Sequence, residues 1–256
     1  TFIGPLSHEP GMDLATTTWT DAEAAETNLA LLPVGSTEQH GPHAPLGTDT
    51  LDAEAVADAT AERYDDPVAV APAIPVGIAE EHRRFAGTLW TSEDTFRSYV
   101  RDVVGSLAAH GWDRVAVVNG HGGNIAALRE VTARIVRHDD AYAVPFTWFD
   151  EVGEHSSEMG HAGPLETSLL RHANPETVHE DRLEAAAAEG SDRWGDWQGR
   201  VNLAVDSHEF TDNGVVGDPT ESSAELGAEL LDRSAAALCD LLDAIGDRDP
   251  APRVEG

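Results

Sequence analysis

Residues 29–34, Leu-Ala-Leu-Leu-Pro-Val, form an unbroken apolar run that stops at Gly35. A run this short, with no polar alternation, predicts a strand buried on both faces. Such a strand needs helices above and below its sheet, which excludes most other architectures at once. The loop that follows is equally constrained. Residues 35–50 bring Glu38, His40, His43 and Asp49 into a short stretch punctuated by glycine and proline. Carboxylates and imidazoles crowded together desolvate or repel one another unless a cation neutralises them. A divalent metal site is therefore the sharper expectation, and an exposed polar loop is the plainer alternative.

Three further apolar runs, at 68–76, 115–118 and 141–148, repeat the strand pattern, the first of them interrupted by prolines. Helical patterns separate them. A capping box, Thr20 to Glu23, opens a short helix to about Asn28. Longer helices are expected over 48–64, over 92–111 with Gly111 closing it, over 125–137, over 164–172 and over 221–245. Strands alternating with helices predict a largely parallel sheet covered on both faces. Residues 185–220, with Trp194 and Trp197, carry little readable pattern.

At 256 residues the chain is long enough for a sizeable core. We expect one domain over residues 12–250, behind a flexible N-terminal extension of residues 1–11. No apolar stretch reaches the roughly 18 residues of a membrane span, and the start shows no signal-peptide pattern. Sixteen basic residues, all arginine, stand against 47 acidic ones, a formal net charge of −31. Charge of this size repels itself in dilute solution and is screened at molar salt. It predicts a cytoplasmic protein of a halophilic archaeon. The same charge turns away nucleic acid and anionic lipid, which leaves a small molecule as the expected partner. Cys239, the single cysteine, supports no disulfide framework.

The third strand leads into Asn119-Gly-His-Gly-Gly-Asn124. Glycines beside His121 permit unusual backbone angles and leave room for a ligand. A solvated Gly-rich turn and an anion site at the next helix are the alternatives. In parallel sheets ligands collect beyond the carboxyl ends of the strands. Both loops are expected there, so they should meet.

Residues 33–49, residues 119–124, His161-Ala-Gly-Pro-Leu-Glu-Thr-Ser168 and Gly214-Val-Val-Gly-Asp-Pro219 together resemble the creatininase (creatinine amidohydrolase) family over nearly the whole chain. The resemblance implies an α/β fold, a three-layer α/β/α sandwich with a largely parallel central sheet, often assembled as a homo-hexamer. It implies two divalent metal ions per chain, zinc or manganese, and iron in some members. Matched position by position, Glu38, His40, Asp49 and His121 are metal ligands, with Asp49 as the bridge. His161 is the matching catalytic histidine, a proton shuttle to the leaving nitrogen. One position departs from the pattern: creatinine-cleaving members carry a glutamate ligand where Gly123 stands. Glu166 is the carboxylate expected to compensate, or else to orient a histidine. His43, Gly122, Gly123 and Asn124 are expected substrate contacts, with His43 and His155 otherwise bracing the ligands. Glu80, His82 and Arg83 are secondary candidates for the pocket wall. His8, His138, His172 and His179 read as surface or capping groups.

The implied chemistry is hydrolysis of a C–N bond in a small cyclic amide or formamide, by water activated between two cations. No Gly-x-Ser-x-Gly elbow is present, so covalent catalysis is not expected. The stretch before His161, residues 154–159, lacks the tryptophan that covers creatinine in the enzymes that cleave it. Two other substrates therefore compete. One is a formylaminopyrimidine ribonucleotide, deformylated by archaeal relatives in riboflavin and deazaflavin biosynthesis, whose phosphate would call for Arg83 or Arg84. The other is a mycofactocin precursor peptide, cleaved by a further relative. A non-catalytic metal-binding paralogue is a third reading, but it would have no use for the proton shuttle at His161.

Overall fold

Along strand β2 (Leu29–Val34) and strand β4 (Arg114–Asn119), alternate residues enter two separate cores. Leu29, Leu31, Ala116 and Val118 face one way, and Ala30, Leu32, Val115 and Val117 the other. Each large apolar side chain removed from water there contributes roughly 1.5–3 kcal/mol. The computed structural model describes residues 11–248; residues 1–10, which hold His8 and all of the expected extension except Gly11, and 249–256 lie outside the described residues. Strands β1 (Met12–Asp13), β3 (Ala69–Val70) and β5 (Tyr142–Thr147) complete a parallel sheet of order β1-β3-β2-β4-β5.

Helices α3 (Glu93–Ala109) and α4 (Ile125–His138) cover one face, through Phe96, Val100, Leu128 and Ile135. The other face takes α2 (Thr48–Arg63), α5 (Pro164–Ala173) and α7 (Ala224–Gly246), through Val56, Leu169, Leu230 and Leu238. Helix α5 comes close to α7 at Gly227, where a Cβ would stand 1.9 Å from the Ser168 carbonyl oxygen. The result is the expected three-layer α/β/α sandwich. No helix among the described residues is long and apolar enough to cross a membrane.

Three local details go beyond the sequence pattern or depart from it. The run at 68–76 pairs only over Ala69–Val70, with an isolated bridge from Ile74 to Val34, because Pro72 and Pro75 have no N–H to give the ladder. The first helix, α1 (Trp19–Ala24), begins one residue before the expected box and stops at Ala24. Its cap is Thr18, whose hydroxyl accepts from the Asp21 N–H at 3.3 Å and donates to Asp21 Oδ2 at 2.6 Å. The edge strand β1 has no counterpart in the sequence reading. A short helix α6 (Leu183–Ala188) runs into the stretch 185–220, which also holds a small hairpin of β6 (Trp197–Gln198) and β7 (Val201–Asn202).

Candidate metal centre

Strands β2 and β4 are neighbours with Val34 opposite Asn119, so the loops after them leave the sheet side by side. Two glycines let that end of the sheet close on the first turn of α2. A Cβ at Gly120 would stand 2.0 Å from the Asp49 carbonyl oxygen, and one at Gly35 2.4 Å from the Thr50 nitrogen. The turn is braced by asparagines. Asn119 Oδ1 accepts from the His121 N–H at 3.2 Å, and Asn124 Nδ2 donates to the Gly35 carbonyl at 3.0 Å.

This folding brings five expected residues together. His121 Nδ1 lies 3.3 Å from Glu38 Oε1 and 3.3 Å from Asp49 Oδ2. His40 Nε2 lies 3.0 Å from Asp49 Oδ1 and 3.8 Å from Glu166 Oε1. The outer nitrogens are tied back: His121 Nε2–H donates to the Ile78 carbonyl at 2.6 Å, and His40 Nδ1–H to the Glu38 carbonyl at 3.2 Å. Each ring, when neutral, thus turns a lone pair inward, the arrangement a ligating histidine needs.

All five side chains are buried, yet both Glu38 carboxylate oxygens, His40 Nε2 and Asp49 Oδ2 have no hydrogen-bond partner. Each buried unpaired polar atom costs about 1–3 kcal/mol, and more when charged. A cation removes that cost. Glu38, Asp49 and His121 form one trio of donor atoms and His40, Asp49 and Glu166 another, each within 4.8 Å, with Asp49 in both. Carboxylate oxygen with imidazole nitrogen suits zinc or manganese. A third grouping joins Glu38, His40 and His161.

The metal-free electrostatics show the strain. Burial pushes the Glu38 carboxyl up to about 7, against the pull of His121 and with help from Asp49. Burial also works to keep His40 and His121 neutral, but the carboxylates beside them outweigh it and lift both well above the usual histidine value. Asp49, against its own burial, is held low by the same two rings. In this state protons stand where divalent charge would bind.

A cavity of about 340 Å³ opens onto the cluster, with Glu38, His121, Gly122, Gly123, His161 and Trp194 in its wall. His161 is set by backbone pairing with Val216 and by the turn at Ala162, whose φ is 53° and whose N–H donates to Glu166 Oε2 at 2.5 Å. The His161 Nε2–H donates to the Gln39 carbonyl at 2.7 Å, leaving Nδ1 to face Glu38 Oε1 at 3.7 Å. Burial, and then the His40 charge, push its pKa down to about 4.

Glu166 joins His40 and Asp49 in the second trio of donor atoms. A Cβ on Gly123 would lie 2.3 Å from the Ile78 carbonyl oxygen and 2.4 Å from His121 Nε2, so a side chain there would have to displace both. Gly122 and Gly123 line the cavity; His43 and Asn124 do not. His43 Nε2 is engaged by Thr167 Oγ1 at 3.0 Å, and Asn124 Oδ1 accepts from the Ile78 N–H at 3.0 Å. His155 pairs with Glu158 and Glu229 away from the cluster. His138, His172 and His179 are exposed. Two wall residues outside the primary expectations are His82, buried 3.5 Å from Glu38 Oε1, and Trp194, edge-on to His82 and His161. For His82 the sequence signal is its place in the polar loop after the run at 68–76, shared with Glu80 and Arg83, neither of which lines the cavity.

The profile of the creatininase family, described as creatinine amidohydrolase, matches residues 15–242. The chain belongs to the creatininase family. Among relatives of this creatininase-family chain, a mycofactocin precursor peptide peptidase from Mycobacterium ulcerans is 38% identical over 213 residues, which are 79% of this chain and 81% of that protein. A creatinine amidohydrolase from Pseudomonas putida is 30% identical over 194 residues, 65% of this chain and 73% of that one. A solved structure described as "Creatininase Mn" matches the fold with a TM-score of 0.74 at 24% identity, over 93% of this chain and 100% of that one. Like other creatininase-family members, the protein is a hydrolase acting on a carbon–nitrogen bond.

Proposed function

We propose that this chain is a dinuclear metal-dependent amidohydrolase acting on an uncharged amide. The observation that carries the reading is the pair of buried donor trios sharing Asp49, with their unpaired inward-facing atoms. Glu38, Asp49 and His121 would hold one cation, and His40, Asp49 and Glu166 the other, zinc or manganese before iron. When bound, two such ions polarise a carbonyl and ease loss of a proton from water. The chain's own residues do the rest. His161, uncharged and held at Nε2 by the Gln39 carbonyl, offers Nδ1 to take up a proton and deliver it to the leaving nitrogen. Gly122 and Gly123 leave the floor open for a planar group beside His121.

Charge bears on the substrate. No arginine stands among the described residues lining the cavity. Arg83 is tied to Asp206 at 3.0 Å and Glu80 at 3.3 Å, and Arg84 lies 3.8 Å from Asp206. A formylaminopyrimidine ribonucleotide would find no free cation for its phosphate there. A small cyclic amide or formamide fits the volume. So does the end of a peptide, and that second reading is favoured by the 38% identity to the peptidase. We further place the protein in the cytoplasm of a salt-accumulating cell, a reading supported by its charge of −31. We also propose a homo-oligomer, by family resemblance a hexamer, in which exposed Leu89, Trp90, Val201 and Leu203 would be covered.

The test is elemental analysis of the chain purified in high salt, followed by assays on creatinine, the formylaminopyrimidine nucleotide and a short peptide. Close to two divalent ions per chain are expected; a metal-free chain that still hydrolyses an amide overturns the proposal.

A further inference from the structure

Gln39 lies between two ligand residues but turns its side chain away from them. Its Oε1 accepts from the Gly41 N–H at 3.0 Å, and its Nε2 donates to the Gly214 carbonyl at 3.1 Å. Turning the amide over would set N–H against N–H and oxygen against oxygen, so its orientation is fixed. The same Nε2 lies 2.9 Å from His82 Nδ1. An amide nitrogen has only hydrogens to offer, so Nδ1 accepts and neutral His82 carries its proton on Nε2. Ser207 Oγ also lies 3.0 Å from Nδ1, but its one proton goes to the Glu81 carbonyl at 3.1 Å, so the Gln39 amide is the donor that sets the ring. The His82 N–H then faces the cluster, with Nε2 3.5 Å from Glu38 Oε1.

The backbone of the same residue sets the second ring. The Gln39 carbonyl accepts from His161 Nε2–H at 2.7 Å, which turns the bare Nδ1 toward Glu38 Oε1 at 3.7 Å. The two rings stack, with centroids 4.5 Å apart at 22°. Both therefore carry the proton on Nε2 but are turned opposite ways, one presenting N–H and the other a lone pair.

We propose that Gln39 is the positioning residue of this site: its amide and its carbonyl hold His82 as a hydrogen-bond donor and His161 as an acceptor, side by side over Glu38, matched to the C=O and N–H edges of an amide. What the pair meets rests on the amidohydrolase reading; the ring assignments do not. With its inward nitrogen protonated, His82 is a substrate contact and not a metal ligand. A histidine that ligates must offer a bare nitrogen.

The experiment is side-chain 15N spectroscopy of the histidines in the full chain, with and without zinc. His82 is expected with Nδ1 bare and Nε2 protonated. Gln39→Glu places an acceptor beside Nδ1 and should move the proton onto it, while His161, held by the backbone, keeps its pattern. Gln39→Met, which keeps the length but removes the donor, should leave His82 a mixture and serves if the glutamate variant does not fold. Ser207→Ala should change nothing at His82. A proton on Nδ1 in the unaltered chain, or Gln39 variants that leave His82 unchanged, overturns the assignment. If the spectra read as stated but no amide is hydrolysed, the ring assignment stands and the amidohydrolase reading falls.

Discussion

Gly120→Ala perturbs a contact that seats His121 against Asp49. The new Cβ would stand 2.0 Å from the Asp49 carbonyl oxygen, where contacts under 3.0 Å essentially never occur. The end of β4 and the first turn of α2 must therefore part by about 1 Å. His121 is the next residue, and its Nδ1 lies 3.3 Å from Asp49 Oδ2. Metal–ligand distances tolerate about 0.2 Å, so the shift is several times what the trio absorbs. Overpacking costs roughly 1–3 kcal/mol, which for a chain of this size lowers Tm by about 2–12 °C. Gly122→Ala, in the same loop, is the control, because nothing lies within 4 Å of its Cβ. Metal content by elemental analysis, thermal melts and turnover are the assays. Gly120→Ala should fold, lose at least one ion and lose about 10²-fold in rate, while Gly122→Ala keeps its metal. Two ions held with unchanged affinity in Gly120→Ala would refute the reasoning.

His161→Ala should abolish turnover of whichever amide is cleaved and leave metal content unchanged; surviving activity removes the proton-carrying role. Burial holds the metal-free Glu38 carboxyl up at about 7, so below that pH it is protonated and the cation must displace the proton. Metal affinity should fall by at least about tenfold per pH unit as pH drops below 7, and calorimetric titrations that show no such loss contradict it. The charge of −31 predicts that Tm climbs steeply from dilute buffer to molar KCl; a flat melt series removes the high-salt reading. Leu169→Ala, fully buried under the sheet on α5, should cost about 2–5 kcal/mol in denaturant unfolding with metal content preserved in the folded fraction.

What could be read ahead of the structure follows from where each property is decided. β2 and β4 were legible because a strand buried on both faces needs only its own apolar run, and Leu31 and Val117 meet the cores their neighbours lead one to expect. The cap of α1 was not, because Thr18 with Asp21 and Thr20 with Glu23 offer the same spacing and local pattern cannot choose between them. Edge strand β1 is two residues long and exists only through its pairing with β3.

The site divides in the same way. Glu38, His40 and Asp49 share one loop and turn, so their convergence is nearly a local property; His121 needed only the adjacency of two strand ends. Glu166 was found by its motif, though not the histidine it would join. The turn at Ala162 directs it to His40, and the Ile78 carbonyl closes the space beside Gly123. Gln39 could not be read at all. Its amide is oriented by the carbonyl of Gly214, 175 residues away, and through that bond it decides which nitrogen of His82 bears a proton. The proposed ligand set is thus written in short segments, whereas the protonation pattern proposed around it is a property of the closed fold. A variant chain that keeps every ligand but disturbs Gly214 should bind its metals and still lose the donor at His82.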